Sequence, residues 1–239
     1  MRTLLFIGLF TFAWQLQAQR SDFQTISFEK ADKNAIALKG EALNNLPLLA
    51  HKLTHNLETD AERFRAIYYW VCHNIKNDYN LMLKNDWKRR KFKTDSIKLN
   101  SWNEEFRIEM FDKLLKEKRT LCTGYTYLIK ELASLAGLEC EIVDGYGKTT
   151  NTALKNMKIP NHSWNAIKLS GKWYLSDATW SSGFIDGDTY VFEFNYNDAY
   201  FLMSPKTFAK EHRPIDEKWA LLSTSKGSSN ESFQITLDN

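Results

Sequence analysis

Three residues far apart in the chain have the side chains needed for acyl transfer through a thiol: Cys122, His162 and Asp177. Cys122 stands where a polar approach turns into the amphipathic run of "RTLCTGYTYLIKELASLAG". Free cysteine is usually a small apolar filler, but at a helix N-terminus its pKa falls and the thiolate becomes a nucleophile. Such a thiol needs a base within hydrogen-bond reach, and the base needs a partner that fixes its tautomer. "NHSWNAIKL" and "WYLSDATW" read as strands separated by Ser170 and Gly171. A two-residue hairpin turn there pairs Leu169 with Lys172 and, continued, sets Trp164 opposite Asp177. His162 then shares a sheet face with Asp177 along a diagonal of about 7 to 8 Å between Cα atoms. Taken singly, each residue has an ordinary structural reading: a filler, a strand histidine bonded to backbone, a turn-adjacent acid. Periodicity does not decide whether the start of the Cys122 helix faces His162.

The elements that must position these groups follow from pattern. "LPLLAHKLTHNL" within residues 43–57 reads as a short helix with Pro47 near its start. Thr59 and Glu62 form a T-x-x-E capping box, after which Phe64, Ile67, Tyr68, Val71, Cys72 and Ile75 make one apolar stripe. Residues 77–104 read as an extended, polar and basic surface region, with Lys88 to Lys93 as a solvated loop. The Cys122 helix stops at Gly137. "LECEIVDGYG" reads as a strand, "TYVFEFNYN" as another, and residues 19–40 as a loose lead-in. Helices first and strands later imply an α+β fold, N-terminal helices packed on an antiparallel sheet.

The chain of 239 residues, 43% hydrophobic and 14% aromatic, is long enough for one real core. A net charge of +3 from 32 basic and 29 acidic residues demands no nucleic-acid partner. "MRTLLFIGLFTFAWQLQAQR" has an early arginine, an apolar run and a small-residue exit at Ala18, the pattern of a cleaved signal peptide. The run is too short for a permanent span, so export to the periplasm or the medium is expected, without stable membrane insertion. The organisation expected is a signal peptide at 1–18, a lead-in with a short helix at 19–58, the main domain at 59–222 and a polar tail at 223–239.

Three cysteines in an exported chain allow one disulfide and one free thiol. With Cys122 free, Cys72 and Cys140 are either paired or separately buried, and their local patterns favour separate burial. Cys72 with His73 makes no paired spacing of a zinc site, nor do Cys122 and His162, so no metal is expected. No acidic loop has calcium-ligand spacing, and no cofactor is called for. His51, His55, His73 and His212 have no supporting pattern. Trp180 and Tyr146 are candidates for the substrate cleft, with core packing as the alternative for each.

Four ordered segments, "TDAERFRAIYYWVCHNIKNDY", "CTGYTYLIKELASLAGLECEIVDGYG", "NHSWNAIKLSGKWYLSDATW" and "YFLMSPKTFAKEHRPIDEKWALL", resemble the transglutaminase-like superfamily of the papain-type cysteine fold. The closing "HRPIDEKWALL" is similar to the subgroup of kyphoscoliosis peptidase and cytokinesis-type relatives. The resemblance implies Cys122 as nucleophile, His162 as base, Asp177 as orienting acid, and acyl transfer at amides of a protein or peptide substrate. The family's "D-P-T" is here Asp177-Ala178-Thr179. Its upstream oxyanion-stabilising side chain has no secure match; Trp87 and Trp102 are candidates by location only.

Overall fold

The computed structural model describes residues 20–148, 153–157 and 159–222. The expected signal peptide and polar tail lie outside them. The lead-in is more ordered than its composition suggests: α1 (Glu29–Ala37) buries Ala31 and Ala35 against the third helix. Its Asp32 accepts a hydrogen bond from the buried Arg65 at 2.6 Å, and Arg65 also binds Asp198. A charged cross-link of this kind, with no apolar stripe on α1 to announce it, is invisible to pattern reading.

Next come α2 (Leu46–Thr54), with Pro47 in its first turn, and α3 (Asp60–Asn74). Thr59 and Glu62 form the reciprocal capping box at the start of α3, and the stripe from Phe64 to Cys72 is buried. Here sequence and structure agree because both the cap and the period are local.

A two-residue strand β1 (Lys76–Asn77) leads into α4 (Tyr79–Lys91) and α5 (Ser96–Glu117), a helical hairpin where an extended surface region is expected. Asp78 and Asp95 cap the two helices by accepting from the N–H groups of Leu81 and Lys98. On α5, Trp102, Phe106, Met110 and Leu114 recur every fourth residue, and the first three join Leu81 and Leu121 in a small core of their own. That stripe is one residue wide among charges, too thin to stand out. The basic run is therefore not a loop up to Lys91; it forms the last turn of α4, where cations complement the helix dipole.

The strand β2 (Arg119–Thr120) pairs with β1 and delivers the chain to α6 (Cys122–Leu135). The main sheet consists of β3 (Cys140–Gly147), β4 (His162–Leu169), β5 (Lys172–Ser176) and a late strand, ordered β5, β4, β3, late strand, all antiparallel. Ser170 and Gly171, both at positive φ, form the two-residue turn, and Leu169 pairs with Lys172 as expected. "WYLSDATW" is not a strand throughout: Asp177 caps α7 (Ala178–Ser182) by accepting from the Trp180 N–H. "TYVFEFNYN" contributes β7 (Phe192–Phe194), which pairs with β6 (Gly183–Ile185) in a separate two-stranded sheet. After α8 (Pro205–Phe208), the main sheet gains β8 (His212–Pro214), a three-residue strand without a strand-like sequence pattern.

The sheet separates two environments. Ile167 and Leu169 of β4 join the main core with α3 and α6, whereas Trp164 and Ala166 point the other way and pack with Val143, Leu175 and Phe208. The architecture is α+β, helices packed on an antiparallel sheet. No helix among the described residues is long and apolar enough to cross a membrane.

Candidate active site

Cys122 opens α6. Most helices before it have a side-chain cap, but Leu121 supplies none, so the first N–H groups of α6 are left open beside the thiol. The helix is held in place by Tyr125, whose hydroxyl donates to the Ile75 carbonyl at 2.8 Å, and by Asn165 of β4, which donates to the Thr126 carbonyl at 3.1 Å. These ties aim the start of α6 at the beginning of β4, where His162 sits.

The half-buried Cys122 thiol faces His162 and the backbone N–H of Ser163, and both lower its pKa. His162 Nε2 lies 2.7 Å from Asp177 Oδ2, which leaves its Nδ1 for the thiol. The diagonal expected from the hairpin register is thus present as a hydrogen bond. Asp177 is fully buried and anchored on all sides. Its Oδ1 accepts from Trp180 N–H at 3.1 Å, its backbone N–H donates to Tyr200, and its carbonyl accepts from the Tyr68 hydroxyl of α3 at 2.9 Å.

The electrostatics favour a thiolate beside an imidazolium. Burial pushes the Cys122 thiol up, but the bond and charge of His162 and the Ser163 N–H outweigh it and lower its pKa. Burial opposes the His162 imidazolium too, yet the charge and hydrogen bond of Asp177 raise it to about 10. Burial likewise opposes the Asp177 carboxylate, and the two imidazoles beside it hold it well below the usual range.

The second imidazole belongs to His212, a residue without support in the sequence pattern. Its Nε2 lies 2.9 Å from the same Asp177 Oδ2. Register explains how it arrives: His212 pairs with Gly147, and Gly145 pairs with His162, so both histidines share one face of the sheet with two glycines between them. A Cβ on Gly147 would stand 3.0 Å from His162 Cβ and 3.0 Å from the Trp180 ring. The Gly-Tyr-Gly alternation of β3 therefore clears the space that the rings occupy. The signal in the sequence was the closing motif containing His212, whose role no local pattern could reveal.

The cleft candidates separate. Trp180 stacks on His162 with centroids 4.9 Å apart, covering the bond to Asp177. Tyr146 does not line this face: alternation along β3 turns it to the opposite side, where Arg213 lies 4.0 Å over its ring. The Trp102 indole N–H is engaged by Asn85 at 3.1 Å, and Trp87 is 57% exposed beside Lys88 and Lys91. The open N–H of Cys122 is the oxyanion donor this geometry offers.

Among the described residues, His162, Asp177 and His212 form the one group of donors close enough to hold a metal ion. Their spacing is that of hydrogen bonds, and a metal on Asp177 Oδ2 and His162 Nε2 would break the contact that orients the base. Cys72 and Cys140 are free and separately buried, and burial pushes the Cys140 thiol up to about 12 and that of Cys72 higher still.

Residues 48–178, more than half of the chain and inclusive of all three residues, match the family model described as the transglutaminase-like superfamily. Kyphoscoliosis peptidase of Homo sapiens is 34% identical over 209 residues, 87% of this chain, and hillarin of Drosophila melanogaster is 26% identical over 211 residues, 82% of this chain. The chain spans only 28% and 23% of the lengths of those two proteins. A solved structure titled as that of a TGase, 14% identical, covers 79% of this chain and 40% of its own with a TM-score of 0.36. With a cysteine at a helix start, a histidine at a strand start and an aspartate one hairpin away, all inside the matched segment, the chain belongs to the transglutaminase-like superfamily.

Proposed function

We propose that this protein is an exported thiol enzyme that performs acyl transfer at peptide or carboxamide carbonyls, with water as its principal acceptor. The observation that carries the reading is the bond of His162 to Asp177 at 2.7 Å, with the Cys122 thiol at the start of α6 beside that imidazole. Cys122 attacks the carbonyl carbon as the thiolate, and the Cys122 N–H stabilises the oxyanion. The His162 imidazolium gives its proton to the leaving amine as the C–N bond breaks, leaving a thioester. His162, now neutral, takes a proton from water as the water attacks, and collapse releases the acid and the thiolate beside a restored imidazolium. Asp177 keeps its charge throughout and fixes the ring.

Hydrolysis is placed first because the relative with 34% identity carries the name peptidase. Amine transfer uses the same thioester and differs only in the acceptor. A glutamine-containing protein incubated with a labelled primary amine tests the choice: ammonia release or chain cleavage without label supports hydrolysis, and efficient incorporation replaces it with crosslinking. If neither product forms and no substrate-mimic probe attaches to Cys122, the domain is a binding module. Export rests on the residue pattern at 1–18; an intact N-terminus on protein recovered from the producing cell would remove it.

A further inference from the structure

Asp177 Oδ2 accepts from two imidazoles, and of the two only His162 acts on the thiol. His212 is 2% exposed, stacked on Phe208 at 3.9 Å between centroids, with Trp180 and Trp164 against it. The titratable groups that face it are Asp177, His162 and Tyr200, whose hydroxyl is turned to Glu211. The remaining polar neighbour is the Phe208 carbonyl, 3.3 Å from Nδ1. Burial and the charge of His162 together lower the pKa of His212 against the pull of Asp177, so it is neutral near pH 7, and its closer contact assigns the proton to Nε2.

We propose that His212 is a positioning residue that donates to the same carboxylate oxygen as His162, limits how strongly Asp177 holds the imidazolium, and so sets how readily His162 gives up its proton. The inference rests on the reading of His162 as the base of Cys122. Each donor that stabilises the carboxylate lowers the basicity it has left for the other. Because the Trp180 N–H holds Oδ1 independently, loss of His212 leaves the carboxylate aimed at His162. The whole charge then falls on one imidazolium, the thiolate beside it forms at lower pH, and proton delivery to the leaving amine slows.

The test is the pH dependence of Cys122 alkylation by iodoacetamide in the full chain, which needs no substrate. His212→Phe keeps a stacked ring without a donor, and His212→Gln restores an amide N–H near the Nε2 position. The acid midpoint should fall by about half a pH unit to one unit in His212→Phe and return to within about 0.2 of wild type in His212→Gln. A midpoint unmoved or raised in His212→Phe overturns the proposal, and a purely structural role would lower the melting temperature without moving the midpoint. Should His212→Phe not fold, nitrogen NMR of the wild-type imidazoles decides: a neutral Nε2–H tautomer at His212 is expected, and a neutral Nδ1–H tautomer overturns it. An ordinary wild-type thiol midpoint, near 8.5, removes the base reading and this inference together. A low wild-type midpoint that His212→Phe leaves in place removes this inference alone.

Discussion

Cys72 in the last turn of α3 and Cys122 in the first turn of α6 are the same residue in two surroundings, and their thiols move in opposite directions. Burial acts on both. Around Cys72 stand core side chains and the Ala178 carbonyl, which accepts from the thiol at 3.6 Å; burial raises this thiol, and the hydrogen bond of Ser182 is too little to offset it. Around Cys122 stand an imidazolium, a backbone donor and the open end of a helix, all of which favour the anion. Desolvation does not decide which cysteine is reactive; what faces the sulfur after desolvation does. Asp177 shows the same logic, since a carboxylate without solvent stays ionised on donors alone.

The comparison breaks most directly by removing each sulfur. Cys122→Ala should lower acyl transfer by about four orders of magnitude or more with the melting temperature nearly unchanged. Cys72→Ala should keep its turnover and lose about 1 to 3 kcal/mol of stability, read by denaturant unfolding. Equal turnover in the two variants would end the assignment of Cys122.

Asp177→Asn should cost about two to four orders of magnitude in turnover, because the amide can offer its donor to the imidazole and favour the wrong tautomer. The fold should suffer as well, by about 1 to 3 kcal/mol, since the group lost is a buried acceptor of two imidazoles and a helix cap. Full activity in this variant would remove Asp177 from the mechanism.

A smaller effect separates the thiols without mutation. At about pH 6 to 7, iodoacetamide should label Cys122 at least about tenfold faster than Cys72 or Cys140, as judged by peptide mapping of the folded protein. His162 adds a pH signature. Its pKa is raised in the fold from 6.5 to about 10, so the stability it contributes is fully present below about pH 6.5 and is lost as pH rises through about 10. The stability difference between wild type and His162→Gln should shrink over that window. A difference that grows toward alkaline pH would mean that the imidazole is neutral in the native state.

Least in size is Gly147→Ala. Its methyl group must push His162 or Trp180 by a few tenths of an ångström, which should cost about tenfold in turnover and about 1 kcal/mol in stability. No change in either would show that the glycine is not needed to seat the rings.

What the sequence alone determined is what short-range chemistry encodes. Thr59 and Glu62 are three residues apart and cap one turn, and Ser170-Gly171 adopts positive φ and so specifies the hairpin pairing that carries His162 to Asp177. Cys122 at a helix start and the apolar stripe of α3 are legible for the same reason. Only the tertiary structure decided that α6 points its first turn at β4, because that direction depends on the Tyr125 and Asn165 bonds to distant backbone. It alone made a hairpin of α4 and α5, whose sparse stripe gains meaning when the two helices bury it against each other. It alone brought in His212, 35 residues from Asp177 on a three-residue strand. A single carboxylate there collects donors from β4, α7 and β8, and no spacing along the chain records a contact made by sheet order.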